Sequence, residues 1–179
     1  MKNQIFHRDE LPETAWKNGG GITREITRSE PGAPYWRLSL ADIGQDGPFS
    51  PFPGLCRVHT ILAGPGLALA NADVTLHARP FQPLHFDGGL ALSAALAGGP
   101  CRAVNLIFDP ARVAAGTSLH SPGPFAAAEG EKVIFLLKGG LEAAPLGRFK
   151  AHEGLASEAP VRGTIAPGSL LLQFRFSAR

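Results

Sequence analysis

The chain has 179 residues, 17 basic against 15 acidic side chains for a formal charge of +2, and 44% hydrophobic residues. That length fits one compact domain, the apolar share excludes a disordered chain, and so small a net charge gives no field to gather nucleic acid. Its 22 glycines and 16 prolines follow no collagen period and cut the chain into short pieces, which points to an all-β protein.

The opening segment, residues 1–21, ends in Lys17-Asn18-Gly19-Gly20-Gly21. Three consecutive glycines do not sit inside a helix, where each forfeits about 1 kcal/mol relative to alanine. They mark a tight turn or a close approach of backbone to another group. A strand is predicted over 22–27, with Ile22, Arg24 and Ile26 on one face, so Arg24 lies between two isoleucines. A second strand follows over 36–43, where Trp36, Leu38 and Leu40 alternate with Arg37, Ser39 and Ala41. Residues 47–54, with Pro48, Pro51 and Pro53, read as a rigid loop presenting Phe49 and Phe52.

Further strands are predicted over 57–62, 67–70, 74–77, 90–96, 101–108, 133–138 and 169–176, separated by Gly-, Pro- and Asn-rich turns. In the first of these His59 shares a face with Arg57 and Ile61, and in 101–108 Asn105 sits on a mostly apolar face. Residues 109–130 read as a looser stretch, with a short helical turn at 110–116. Strands at this spacing indicate a sandwich or barrel.

Several chemistries fail on the residues. The N-terminus lacks a signal-peptide core and no apolar run reaches the roughly 18 residues of a membrane span, so a soluble cytoplasmic protein is expected, with no membrane or nucleic-acid partner. His77 is followed by Ala78-Arg79 and no Glu lies between Glu30 and Glu129, so no metal site and no cofactor are expected. Lys17 precedes the glycines and a strand pattern follows them, which defeats both nucleotide-loop readings. There is no Gly-x-Ser-x-Gly elbow, and two cysteines, Cys56 and Cys101, form no disulfide framework.

Arg24 is the informative residue. A guanidinium on an apolar strand face needs an anion, because an unpaired buried charge is very costly. That anion is either internal, with Glu25 and Asp42 as candidates, or a carboxylate ligand held at two points. Lys17, Asn18, Arg37, Ser39 and Asn105 are the polar groups that could converge with it.

The segment Trp16-Lys17-Asn18-Gly19-Gly20-Gly21-Ile22-Thr23-Arg24-Glu25-Ile26 resembles the signature of the HutD/Ves family. So do Trp36-Arg37-Leu38-Ser39-Leu40-Ala41-Asp42-Ile43 and Gly47-Pro48-Phe49-Ser50-Pro51-Phe52-Pro53-Gly54, with weaker echoes up to Asn105. The resemblance implies a cupin-type (RmlC-like) β-barrel, in a two-barrel (bicupin) arrangement within one domain over 1–179. The first barrel would run to about residue 108 and a smaller half from about 109 to 179. It also implies a link to histidine utilisation, with regulation by sensing an intermediate such as urocanate or formylglutamate, without catalysis and without the usual cupin metal ligands. The chain departs from the family at Cys56, Gly89 and Ala103, where acids are usual, leaving Arg57 and nearby donors with fewer internal partners.

The expected function is therefore a non-catalytic binding protein for a small carboxylate. Arg24 would hold the anion, helped by Lys17, Asn18, the Gly20 amide, Arg37, Ser39, His59 and Asn105, with Phe49 and Phe52 as apolar walls. No residue is assigned a catalytic role. Two alternatives stay open: a metal-free enzyme using His59 or Glu25 as acid or base, and a protein-partner regulator of the stress-related Ves branch with a vestigial pocket. Homo-oligomerisation is also left open, since edge-strand pairing leaves no mark in the sequence.

Overall fold

The computed structural model describes residues 4–179, which fold into short antiparallel strands with one 3-10 turn at Arg8–Glu10. In chain order these are β1 (Gln4–His7), β2 (Glu13–Ala15), β3 (Gly21–Arg28), β4 (Trp36–Ile43), β5 (Gly47–Phe49), β6 (Cys56–Ala63), β7 (Leu67–Ala70), β8 (Thr75–Ala78), β9 (Leu84–Asp87), β10 (Leu92–Leu96) and β11 (Cys101–Phe108). They continue as β12 (Val113–His120), β13 (Gly123–Ala127), β14 (Lys132–Lys138), β15 (Gly140–Ala144), β16 (Gly147–Lys150), β17 (Glu153–Ser157), β18 (Val161–Ile165) and β19 (Leu170–Ala178). Among the described residues no helix is long and apolar enough to cross a membrane.

The chain forms two compact units. One is Pro12–Arg112, with a six-stranded sheet in the order β2-β3-β4-β11-β6-β9 and a four-stranded sheet in the order β5-β10-β7-β8. Alternation supplies its core: Ala41, Ile43, Ile61, Cys101 and Ala103 from the large sheet meet Phe49, Leu67, Leu69, Leu92 and Ala94 from the small one. The other unit holds Val113–Arg179 together with the residues up to Leu11. Its sheets run β1-β17-β14-β19-β12 and β13-β18-β15-β16, around Phe125, Ile134, Leu141, Phe149, Leu155 and Leu171. The N-terminal strand goes with the later half, unlike the expected division near 108, because Gln4 to His7 pair in register with Ala156 to Glu153.

Three local expectations change. The helical turn at 110–116 is a hydrogen-bonded turn only as far as Arg112, tied to Asp109, and Val113 already begins β12. Pairing along the whole of β19 overrides the helix preference of the alanines there. The looser stretch 109–130 contains β12 and β13 for the same reason. In the proline loop, Gly47–Phe49 forms a short strand at the sheet edge, paired with β10 on one side only, the kind of position that tolerates a residue without an N–H such as Pro48.

Candidate functional site

The inner face of the six-stranded sheet changes character row by row. Register puts Ala41, Ala103 and Ile61 side by side on β4, β11 and β6, all buried apolar groups. Two residues along the strands the row reads Ser39, Asn105, His59, and two further it reads Arg37, Ile107, Arg57, Phe86. An apolar floor thus gives way to a polar row and then to a rim carrying two arginines. In front of them lies a pocket of about 740 Å³. Lys17, Asn18, Thr23, Arg37, Ser39, Phe49, Phe52, Arg57, Asn105 and Ile107 are among its lining residues, and no Asp or Glu is.

Trp16, Lys17 and Asn18, which lead into the glycine run, build one wall. Trp16 N–H donates to the Gly21 carbonyl and Gly19 N–H to the Trp16 carbonyl, closing the turn that leads from β2 to β3. A Cβ at Gly21 would collide with the Asp42 carbonyl oxygen and the Trp16 ring, so backbone does come close there. Trp16 Nε1 donates to Thr23 Oγ1 at 2.7 Å, fixing the indole beside the pocket. The opposite wall is the proline loop, pinned by Phe52 N–H to the Gly88 carbonyl at 2.6 Å and Gly88 N–H to the Leu55 carbonyl at 2.8 Å.

Arg57 is the centre of the site. It is 5% exposed, and its guanidinium lies 4.1 Å from the Phe49 ring centroid and 5.4 Å from those of Phe52 and Phe86. Nη1 donates to the Ser50 carbonyl at 3.1 Å and Nη2 to Asn105 Oδ1 at 2.8 Å, while Nε is buried with no partner. Among the described residues no carboxylate pairs with it. Burial pushes its pKa from 12.5 down to about 9, so the group still carries its charge at neutral pH.

His59 lies behind this front. It is fully buried, with Nδ1 2.7 Å from Asn105 Oδ1, its ring edge-on to Phe49, and Nε2 without a partner. Burial lowers its pKa to about 4, against the pull of the Asn105 hydrogen bond and with help from the Arg57 charge, so the imidazole is neutral at pH 7. An unsatisfied buried nitrogen costs about 1–3 kcal/mol.

The site brings together seven of the expected residues: Lys17, Asn18, Arg37, Ser39, Phe49, Phe52 and Asn105. His59 does not line it and touches it through Asn105 and Phe49. Arg24 does not reach it: the residue is paired with Leu40, so it lies on the opposite face of the sheet from Thr23 and Ser39. There it is buried, with ion pairs to Asp42 and Glu13. Burial alone would lower its pKa, but the bonds and charges of Asp42 and Glu13 hold it above the ordinary value. The expectation that Arg24 holds the ligand is corrected accordingly; its counterions are internal. Gly20 is also elsewhere, its amide spent on Asn18 Oδ1 at 3.0 Å. Arg37 keeps a pocket position but shares its charge with Glu25, its Nε donating at 2.8 Å.

Arg57, Thr23, Trp16 and Ile107 were not among the expected ligand contacts. The available signal was the placing of Arg57 on the same strand face as His59 and Ile61. Among the described residues, no three His, Cys, Asp or Glu side chains group closely enough to hold a metal ion. The imidazole on this sheet face has a guanidinium as neighbour, and that donor set does not fit a divalent cation.

Comparison with known proteins agrees with this architecture. A HutD family model matches residues 8–169. An uncharacterized 21.2 kDa protein from the hutC 3′ region of Pseudomonas putida is 42% identical over 113 residues, 61% of this chain; the matched stretch spans 60% of that relative's length. The crystal structure of PA5104, a conserved protein of unknown function from Pseudomonas aeruginosa PAO1, superposes with a TM-score of 0.87 at 26% identity, covering 99% of this chain and 100% of that one. HutD from Pseudomonas fluorescens SBW25, solved in a formate condition, superposes at 0.83 with 29% identity over 99% of both chains. The fold resembles cupin-superfamily proteins, the family link is to histidine utilisation, and the chain belongs to the HutD family.

Proposed function

We propose that this chain binds a small carboxylate metabolite of histidine utilisation, such as urocanate or formylglutamate, in the pocket before Arg57, and acts through that binding as a regulator. The observation that carries the reading is a buried guanidinium with no acidic partner among the described residues, facing a pocket whose lining holds no acidic side chain among them. A buried cation of this kind is stabilised when an anion enters, and a carboxylate matches its two-point geometry. Phe49, Phe52 and Ile107 supply the apolar surface for the rest of a small organic acid. Neither His59 nor Glu25, the acid–base candidates, lines the pocket, which favours binding over turnover.

In this reading each two-sheet unit is one cupin-type barrel of a bicupin. The first is the working barrel. In the second, the void among Ile134, Leu136, Leu141 and Phe149 is only about 10 Å³.

A thermal-shift screen tests the proposal. The panel is formate, urocanate, imidazolone propionate, formiminoglutamate, formylglutamate and glutamate, against chloride at matched ionic strength. A carboxylate at 100 times its Kd adds about 2.7 kcal/mol, an upward shift of roughly 5–10 °C for a chain of this size. A panel in which no carboxylate exceeds chloride overturns it.

A further inference from the structure

Asn105, a buried polar group of the pocket, has its hydrogen-bonding sense fixed by its neighbours. A guanidinium only donates, so the Asn105 side-chain atom 2.8 Å from Arg57 Nη2 is the oxygen. That oxygen only accepts, so His59 Nδ1, 2.7 Å away, carries the imidazole proton and Nε2 is bare. Both lone pairs of Oδ1 are thereby used. The Asn105 nitrogen has no hydrogen-bond partner among the described residues, and the side chain lines the pocket.

Thr23 has the same polarity. Its oxygen accepts from Trp16 Nε1, which leaves the hydroxyl proton to be given away. A leucine at position 59 would fill the space without stranding a buried Nε2. What histidine adds is the second donor to Asn105.

We propose that His59 is a positioning residue which, with Arg57, locks Asn105 as an obligate donor, so that the site takes an ionised carboxylate and rejects the carboxamide of the same shape. This rests on the carboxylate-binding reading above. A carboxylate offers acceptors on both oxygens and meets donors only. A carboxamide sets its own N–H groups against those of Asn105 or Arg57, and the lock denies Asn105 the half-turn that would relieve the clash. His59 touches no ligand atom.

The test uses formate with formamide, and urocanate with its amide, as paired probes for calorimetric titration of the wild type, His59→Leu and His59→Asn. The wild type is expected to prefer the carboxylate on the order of 100-fold. His59→Leu lowers that ratio about tenfold, and His59→Asn, whose amide N–H falls near the position of Nδ1, restores it. Nitrogen-15 shifts of the His59 ring, which need no ligand, are expected to report a protonated Nδ1 and a bare Nε2. An unchanged ratio in folded His59→Leu, or a ring protonated at Nε2, overturns the lock. A wild type that binds neither formate nor urocanate sinks the carboxylate reading instead, and the ring tautomer then decides the lock alone.

Discussion

Replacing Arg57 with methionine separates a ligand-binding cation from a structural one. Methionine keeps an unbranched apolar stem beneath the Phe49 ring and removes the charge. The fall of the Arg57 pKa from 12.5 to about 9 corresponds to roughly 5 kcal/mol, the scale of the penalty for holding the cation there at neutral pH. Against it stand the aromatic contacts, about 0.5–2 kcal/mol, and two charge-assisted hydrogen bonds, about 1.5–3 kcal/mol each. The two sides nearly cancel. Arg57→Met is therefore expected to change the ligand-free unfolding free energy by less than about 3 kcal/mol, whereas breaking a paired buried ion costs about 3–5 kcal/mol. The same variant loses the carboxylate-dependent stabilisation of about 2.7 kcal/mol. Urea unfolding with and without urocanate measures both. A ligand-free loss of 3 kcal/mol or more, or a surviving ligand shift, refutes the reasoning.

Arg24→Met gives the opposite pattern. It removes the pairs with Asp42 and Glu13, costs about 1–3 kcal/mol in urea unfolding, and leaves the carboxylate shift intact, since Asp42 keeps Arg102 at 2.8 Å. Asn105→Asp places an internal carboxylate against Arg57 Nη2 and His59 Nδ1; ligand-free stability holds or rises, while carboxylate affinity measured by calorimetry falls at least about tenfold. The pH dependence has a definite sign. Between pH 6.5 and about 4 the unfolded chain binds a proton at His59 that the folded protein refuses, so this group's contribution is complete above pH 6.5 and roughly 3 kcal/mol is lost by pH 4. His59→Leu should flatten that part of the stability profile, and identical slopes in both proteins would contradict it.

The fold was legible where one strand face is apolar over most of its length. Trp36–Ile43 and Cys101–Phe108 have their predicted bounds, and Gly21–Arg28 extends its prediction by one residue at each end. Short edge strands escaped, because Glu13–Ala15, Leu84–Asp87 and Gly147–Lys150 bury at most one residue each. Such segments become strands through the partner they lie against, and neither β2 pairing with β3 nor β16 pairing with β15 is written in its own composition. Gln4–His7 is the extreme case, since its partner is about 150 residues away in sequence.

The candidate site divides on the same physical point. Arg24 and Arg57 are alike in sequence: each stands on a strand with apolar residues at alternate positions, and periodicity identifies a face without saying which face looks inward. What distinguishes them is cross-strand register. Arg24 lies opposite Glu13 and diagonal to Asp42, so acids meet it from both sides. Arg57 lies between Ile107 and Phe86, and its neighbours offer carbonyls and rings only. The clue that survives in the linear chain is the set of places without acids, Cys56, Gly89 and Ala103. Gly89 adjoins Gly88, whose backbone clamps the proline loop, and Cys56 precedes Arg57 on β6. A buried guanidinium whose register supplies acids completes the fold by itself; one whose register withholds them is, in the proposed reading, completed by a ligand.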